Sequence, residues 1–200
     1  MGFRGVALDF DGVLVDSYWC IPECYEGLAR ILGVPESEVR GAAILLTEEE
    51  DRRDAAGDYE RHVWWRPFFD VRMPPSGWRL AHSAWLSHRT SLSLVRPGAR
   101  TLLERLRESG LRLALVHGWD GLPGWKERRV EASGLRGYFE LSLTVGEGFE
   151  TKGEALMALA DLWGAEPGQI LFADDKPRHV REALDLGFSA VLVRYRGPLR

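Results

Sequence analysis

The sequence predicts an α/β fold, a Rossmann-like parallel sheet flanked by helices, with a helical segment inserted after the first strand. Short apolar runs recur along the chain, and amphipathic helix patterns separate the later runs. Residues 17–94 contain helix patterns without a convincing strand. Strands that alternate with helices of this length are typical of right-handed βαβ crossovers in a mostly parallel sheet. We therefore expect a core domain at 1–16 and 95–200, and a helical domain at 17–94.

Apolar runs of strand length predict the strands of the sheet, at residues 6–8, 111–116, 139–145, 170–173 and 190–193. In open α/β sheets the ligand lies beyond the carboxyl ends of the strands. Asp9, His117 and Asp174 each lie at the end of a predicted strand. Their positions predict that they meet at one edge of the sheet.

Start and stop signals delimit the predicted helices. Pro97 opens one helix pattern, and the capping box Thr151-Lys-Gly-Glu154 opens another. The predicted helices of the core are 97–110, about 122–133, 151–164 and 178–186. A second capping box, Thr47-Glu-Glu-Glu50, predicts a helix start inside the inserted segment, whose helix patterns lie near 22–32, 36–46, 47–65 and 77–90. The aromatic residues of this segment, among them Trp65 and Trp85, are expected to pack its own core.

Composition excludes several classes of function. The net charge of −4 gives no basic footprint for nucleic acid. No run approaches the roughly 18 uncharged apolar residues that a membrane helix needs, and the N-terminal residues lack a signal-peptide pattern. Cys20 and Cys24 are the only cysteines, and no further ligands follow at metal-binding spacing. We therefore expect two reduced thiols in a cytoplasmic protein.

The most informative stretch is Asp9-Phe-Asp-Gly-Val-Leu-Val-Asp-Ser17, which directly follows the first predicted strand. Carboxylates two residues apart on an extended strand point to opposite faces. For Asp9 and Asp11 to reach one site, the chain must turn after Asp9, and Gly12 permits such a turn.

This string resembles motif I of the haloacid dehalogenase (HAD)-like hydrolase superfamily, Asp-x-Asp-Gly-[Thr/Val]-Leu-x-Asp-Ser. Later stretches are similar to the family's other landmarks, in the same order and over the whole chain: Leu94-Val-Arg-Pro-Gly98 before the strand at 111–116, Lys152 for motif III, and Leu171-Phe-Ala-Asp-Asp175 for motif IV. The inserted helices resemble the C1 cap of the subfamily that contains phosphoglycolate phosphatase-like and β-phosphoglucomutase-like proteins.

The resemblance implies a phosphatase that hydrolyses a small phosphorylated metabolite through an aspartyl-phosphate intermediate. Asp9 would be the nucleophile, and Asp11 would protonate the leaving alcohol and then accept a proton from water. Lys152 would bind the phosphate and neutralise charge beside the nucleophile. The implied cofactor is Mg²⁺, with metal ligands from Asp9, the backbone carbonyl of Asp11 and Asp174, and support from Asp175.

Lys152 and Asp11 are also informative without the full motif. The position of Lys152 bears on its contacts, and the presence of Asp11 bears on the choice between phosphatase and dehalogenase. A lysine in the first turn of a helix is disfavoured by the helix dipole, by up to about 1 kcal/mol, and a nearby carboxylate would reverse that penalty for Lys152. The alternatives are a solvated Lys152 at an exposed helix end, and Lys176 in the same role. Asp11 favours phosphoryl transfer, because the family's dehalogenases lack the second aspartate of motif I.

Motif II departs from the family pattern. Where Ser or Thr is usual, the strand ends in His117, followed by Gly118. An imidazole can donate to phosphate, and the backbone amides of Gly118 and Trp119 can form part of an anion nest. We therefore predict that His117 and Gly118 bind phosphate together with Lys152; the alternative is a pocket that has lost this capacity. In motif IV, a position that carries a further Asp or Asn in some relatives is His179 here.

Two other functions stay open at this point. A phosphomutase would use the same Asp9 and Asp11, and a catalytically impaired HAD-fold protein would have a binding or regulatory role. The expected partner is a small phosphorylated metabolite, with no nucleic acid and no membrane. A monomer or a homodimer is expected, and the sequence does not identify the substrate.

Overall fold

The computed structural model describes residues 2–194, so Met1 and the last six residues of the predicted core range lie outside the described part. A five-stranded, all-parallel sheet forms the core, with strand order β5-β4-β1-β6-β7. The strands are β1 (Gly5–Leu8), β4 (Arg112–Gly118), β5 (Leu141–Val145), β6 (Ile170–Asp174) and β7 (Ser189–Leu192), and a two-residue antiparallel ribbon adds β2 (Val15–Asp16) and β3 (Leu94–Val95). The predicted α/β fold with a parallel sheet is confirmed.

The register of the sheet decides which residues share its functional edge. Leu8, the last residue of the central strand β1, pairs with Leu115 on β4 and with Ala173 on β6. The next residues along the three strands therefore lie side by side at the carboxyl edge. This register brings Asp9 level with Asp174.

Helices cover both faces of the sheet. They are α5 (Ala99–Glu108), α6 (Trp125–Ala132), α7 (Lys152–Trp163) and α8 (Pro177–Asp185). One buried cluster packs α5 and α6 on one face and includes Leu103 and Val130. A second cluster packs α7 and α8 on the other face and includes Leu159 and Ala183. The alternating strand residues point to opposite clusters, as a buried strand requires.

The chain divides into two compact units. The first contains the described residues up to Asp16, Leu94–Trp119, and the described residues from Lys126 onward, and it holds the parallel sheet. The second contains Ser17–Ser93 and also the separate segment Asp120–Trp125. The predicted boundaries at 16/17 and 94/95 stay a prediction.

The second unit is helical, with α1 (Ile21–Ile31), α2 (Glu36–Ala56), α3 (Arg61–Trp64) and α4 (Pro75–Leu92). Its core is aromatic: Trp65 and Trp85 are fully buried, and Tyr25 packs against both rings. Leu122, from the separate segment, belongs to the same cluster. Packing therefore accounts for most of the aromatic residues of this segment.

A buried ion pair lies within this aromatic core. Arg61 Nε is 2.9 Å from Glu50 Oε2, and the Tyr25 hydroxyl donates to the same carboxylate at 2.6 Å. Arg61 also donates to the carbonyl of Asp120 at 3.1 Å, and its guanidinium stacks 4.7 Å from the Trp85 ring centroid. The pair thus holds α2, α3 and the separate segment together.

Two predicted helix starts are wrong. Helix α2 runs without interruption through Thr47, whose hydroxyl donates to the carbonyl of Ala43 at 2.8 Å instead of capping a new helix. Helix α6 begins at Trp125, three residues later than predicted. Gly121 and Gly124 have φ values of +83° and +69°, which a right-handed helix does not allow, so the chain forms a loop there.

Candidate active site

The turn after β1 carries the two aspartates of the Asp-x-Asp pair. The Asp9 amide donates to the carbonyl of Ala173, which ties the end of β1 to β6. The carbonyl of Phe10 accepts from both Leu14 and Val15, and Gly12 has φ +79°. The chain therefore turns directly after Asp9 through the glycine, as the sequence predicts. Both aspartates are buried.

Lys152 lies at the first position of α7 and extends into this buried region. Its ammonium is 2.7 Å from Asp9 Oδ1 and 3.1 Å from Asp174 Oδ2, and it also donates to the carbonyl of Val116. Thr151 caps the helix by accepting from the amide of Glu154, which fixes the helix start. Burial alone would lower the pKa of Lys152, but the two carboxylates outweigh it and raise the pKa. The lysine is thus a fixed cation between the two strand ends.

Asp9, Asp174 and Asp175 form an acidic cluster in which one oxygen from each lies within 4.8 Å of the others. Burial would raise the pKa of Asp174, but Lys152 and His179 outweigh burial and lower it, so this carboxylate is ionised at neutral pH. Three hard carboxylate oxygens at this spacing fit a divalent cation such as Mg²⁺.

The carboxylate of Asp11 contacts helix α6. Lys126 Nζ lies 2.5 Å from Asp11 Oδ2, and Arg129 contacts both carboxylate oxygens, at 2.9 Å and 2.5 Å. Lys126 and Arg129 are 4% and 2% exposed. Sequence reasoning missed both residues. The available signal was their spacing, because Lys126, Arg129 and Val130 share one helix face and Val130 is apolar.

His117 is fully buried at the end of β4, on the sheet face that packs against α6. Its Nε2 is 2.8 Å from the Ser142 hydroxyl, which itself donates to Glu127, and Nε2 lies 3.5 Å from the Glu127 carboxylate. This arrangement requires the Nε2–H tautomer, so Nδ1 carries a lone pair. Burial lowers the pKa of His117 and keeps the ring neutral.

Gly118 is the last residue of β4 and Trp119 follows it. The Trp119 amide donates to the carbonyl of Val145 at 2.9 Å, so this amide is used within the sheet edge instead of facing an anion. At Gly118 an added Cβ would meet no heavy atom within 4 Å outside its chain neighbours. The binding of phosphate by His117 and Gly118 stays a prediction.

The residues after β6 orient Asp174. The Lys176 amide donates to Asp174 Oδ1 at 2.8 Å, and His179 Nδ1 lies 3.1 Å from Asp174 Oδ2. His179 therefore supports a carboxylate of the acidic cluster through a ring nitrogen. Lys152 and Lys176 were the two candidates for the cation beside the nucleophile. Lys152 contacts the Asp174 carboxylate through its ammonium, whereas Lys176 contacts it through its backbone amide.

The arrangement combines a buried carboxylate, a lysine ammonium in contact with it, and an acidic cluster that could hold a metal ion. A second carboxylate, two residues along the chain, is held by its own pair of cations. Such a site can perform carboxylate attack on an electrophile, with fixed cations offsetting the charge that develops. Among the described residues, no helix combines the length and the apolar character needed to cross a bilayer.

Comparison with known proteins places this geometry in context. A family model described as haloacid dehalogenase-like hydrolase matches residues 3–187. No curated protein matches the sequence. A HAD phosphatase structure from Thermococcus onnurineus is similar at 24% identity, covering 98% of this chain and 90% of that chain, with a TM-score of 0.68.

Two further solved structures share the fold. One is a predicted phosphoglycolate phosphatase from Haemophilus somnus; it is 17% identical, covers 96% of this chain and 86% of that chain, and has a TM-score of 0.67. The other, the L-2-haloacid dehalogenase RSc1362, is 21% identical, covers 96% of this chain and 86% of that chain, and has a TM-score of 0.64. Identities at this level establish the fold alone.

Proposed function

The chain belongs to the haloacid dehalogenase-like hydrolase family, and we propose that within it the protein is a Mg²⁺-dependent phosphatase of small phosphorylated metabolites. The observation that carries the proposal is the contact of Lys152 with both Asp9 and Asp174, 143 and 22 residues away along the chain. A carboxylate nucleophile, a cation beside it and an acidic cluster are the parts that phosphoryl transfer to a carboxylate needs.

In the first step a carboxylate oxygen of Asp9 attacks phosphorus in line with the leaving group. A bond forms between Asp9 and phosphorus, the bond from phosphorus to the leaving oxygen breaks, and Asp11 transfers a proton to that oxygen. Lys152 offsets the negative charge on the carboxylate and the phosphoryl group as they approach. The product alcohol leaves with its proton, and Asp9 carries the phosphoryl group.

In the second step water attacks the same phosphorus, and Asp11 accepts a proton from it. The bond between Asp9 and phosphorus breaks, which releases inorganic phosphate and restores both aspartates. Asp9, Asp174 and Asp175 would hold Mg²⁺, which supplies charge neutralisation when bound. The helical second unit would serve as the cap that excludes bulk water.

A dehalogenase is among the proteins with this fold, and Asp11 argues against that activity here. A halide leaves as a stable anion and needs no proton, whereas an alkoxide does. The presence of a second buried carboxylate, held two residues after the first, supports phosphate ester hydrolysis.

The experiment is a phosphatase screen over a metabolite panel with Mg²⁺, run beside Asp9→Asn. We expect turnover of at least one phosphomonoester, and a loss of activity in the variant to near background. Mass spectrometry of acid-quenched wild type during turnover should show a phosphoryl group on the peptide that contains Asp9. Undiminished turnover by Asp9→Asn would contradict the mechanism.

A catalytically impaired binding protein is the second candidate, and the position of His117 favours it. Its Nε2–H donates to Ser142, and its Nδ1 lone pair cannot donate to a phosphate oxygen. If a folded, Mg²⁺-loaded protein binds phosphomonoesters without turning any over, this second function replaces the first. A phosphomutase would instead require a bisphosphate activator and form an isomeric sugar phosphate.

A further inference from the structure

The carboxylate of Asp174, at the end of β6, is bound by donors from three positions of the chain. Its Oδ1 accepts from the backbone amide of Lys176 at 2.8 Å. Its Oδ2 lies 3.1 Å from the Lys152 ammonium and 3.1 Å from Nδ1 of His179, in the first turn of α8. A carboxylate has about four lone-pair sites, so these three contacts leave capacity for a cation. Together they restrict a side chain that otherwise rotates about two bonds.

The contacts of His179 define its tautomer. The Nε of Arg178 donates to Nε2 of the imidazole at 3.2 Å, so Nε2 carries the lone pair. The ring proton is then on Nδ1, and Nδ1–H donates to Asp174 Oδ2. A neutral imidazole in this tautomer supplies a directed hydrogen bond to the carboxylate. An ionised Asp or Glu at the same position has no proton to donate.

The helix that carries His179 is anchored to its surroundings. Ala183 is fully buried in the cluster that packs α7 and α8 against the sheet. Glu182, also in α8, accepts from the backbone amide of Gly153 in the first turn of α7, at 2.9 Å. A Cβ at Gly153 would lie 2.5 Å from the same glutamate oxygen, so the two helices approach closely at this point. These contacts set the position from which His179 reaches Asp174.

We propose that His179 is a positioning residue of the metal site, whose Nδ1–H holds the carboxylate of Asp174 in place for Mg²⁺. The inference rests on the metal-binding part of the proposed function. Asp174 contributes one of three carboxylate oxygens that lie within 4.8 Å of one another, with Asp9 and Asp175. A ligand that is already oriented loses less conformational freedom when the cation binds. Loss of a hydrogen bond that orients a metal ligand typically weakens metal binding by about 10–100-fold.

The test measures binding of the metal alone, without substrate, in the wild type and in variants of one residue. His179→Leu removes the donor. His179→Asn keeps an amide donor at the position of Nδ1, and His179→Gln places its amide one bond farther out. Thermal unfolding over a Mg²⁺ titration gives an apparent Kd for each protein. Electron paramagnetic resonance of free Mn²⁺ measures the affinity of the site independently.

We expect His179→Leu and His179→Gln to weaken Mg²⁺ binding by about 10–100-fold, and His179→Asn to restore most of the affinity. His88→Leu makes the same change at an exposed histidine of α4 and should bind Mg²⁺ as the wild type does. The unfolding temperature without metal separates a loss of fold stability from a loss of affinity. If His179→Leu does not fold, the comparison of His179→Asn with His179→Gln decides the question.

Three results would overturn the inference. The first is a Mg²⁺ affinity of His179→Leu equal to that of the wild type. The second is tighter binding by this variant, which would show that the imidazole competes with the cation for Asp174. The third is equal losses in His179→Asn and His179→Gln, which would show that a donor at Nδ1 has no special role. The wild type binds metal in each case, so the proposed function survives them. A wild type that binds neither Mg²⁺ nor Mn²⁺ removes the metal-dependent function and the inference with it.

Discussion

The ammonium of Lys152 lies 2.7 Å from Asp9 Oδ1, so the first residue of one helix neutralises the residue that directly follows the central strand. Removing this cation would leave the negative charges of Asp9 and Asp174 close together without the ammonium that neutralises them. We expect Lys152→Met to lower kcat/KM for a phosphomonoester by about 10²–10³-fold, the range for loss of one preorganised charge-stabilising donor. Steady-state kinetics with the metal-loaded variant measure it.

Lys176→Met is the control for this variant, because it removes a cation from the same region without touching the contact between Lys152 and Asp9. It should retain most of the activity. The reverse result, a silent Lys152→Met and an inactive Lys176→Met, would assign the phosphate-neutralising role to Lys176.

The acidic cluster of Asp9, Asp174 and Asp175 predicts a thermal shift on metal addition. A ligand at 100 times its Kd stabilises the folded state by about 2.7 kcal/mol, which for a chain of this size raises Tm by about 5–10 °C. We expect Mg²⁺ to produce such a shift in the wild type and a much smaller one in Asp174→Asn. Differential scanning fluorimetry over a Mg²⁺ titration measures the shift, with Ca²⁺ for comparison. Equal shifts in both proteins would place the cation elsewhere.

Glu127 predicts a specific loss of stability in acid. Its hydrogen bond with His117, and that from Ser142, outweigh burial and lower the pKa of Glu127 to about 2 from its ordinary value of 4.5. A depressed carboxyl pKa contributes stability that is present above pH 4.5 and is lost as the pH falls toward 2. We therefore expect Tm to decrease less steeply between pH 4.5 and 2 in Glu127→Gln than in the wild type. Parallel pH profiles of the two proteins would contradict the assignment.

The buried pair of Arg61 and Glu50 predicts an asymmetric effect of substitution. Arg61→Met leaves a buried charge without its partner and should lower the free energy of unfolding by about 3–5 kcal/mol. Arg61→Met/Glu50→Gln removes the stranded charge and retains an acceptor for Tyr25, so it should recover most of the loss. Urea denaturation measures both. Arg30→Met, in an exposed ion pair with Glu36, is the control and should unfold as wild type does.

The Trp163 ring packs so closely against Gly5, in β1, that it leaves no room for a larger side chain at this position. A Cβ at this position would lie 2.2 Å from the nearest atom of the indole ring. Gly5→Ala should therefore destabilise the fold by about 1–3 kcal/mol, and Trp163→Leu should relieve part of this, giving a favourable coupling in a double-mutant cycle. Gly137→Ala, whose Cβ would meet no heavy atom within 4 Å, is the control. Additive losses would show that the two residues do not collide.

The edge of the sheet was predictable because it depends on local patterns and one general rule. Apolar runs located the strands, and the convergence of parallel strand ends placed Asp9 near Asp174. The turn after Asp9 was predictable because Gly12 permits a change of chain direction there. These inferences need only the order of elements and not the packing of side chains.

The pair of cations on Asp11 was not predictable in the same way. Lys126 and Arg129 are 115 and 118 residues from Asp11, and a helix rich in charges normally indicates a solvated face. Only tertiary packing shows that this face is buried. The helix start predicted at Thr47 was wrong for the opposite reason. A capping box is a local signal, and α2 continues through it because nothing in the sequence stops the helix before Gly57.

The segment Asp120–Trp125 makes the second unit discontinuous in sequence. This matters for transferring the unit between related proteins. A fragment covering 17–93 would lack Leu122, which is 7% exposed in the aromatic cluster, and would lose the carbonyl that Arg61 binds at Asp120. Grafting the helices alone onto a relative would transplant an incomplete core. A chimera that keeps this core intact has to carry two stretches of chain that lie far apart in the sequence.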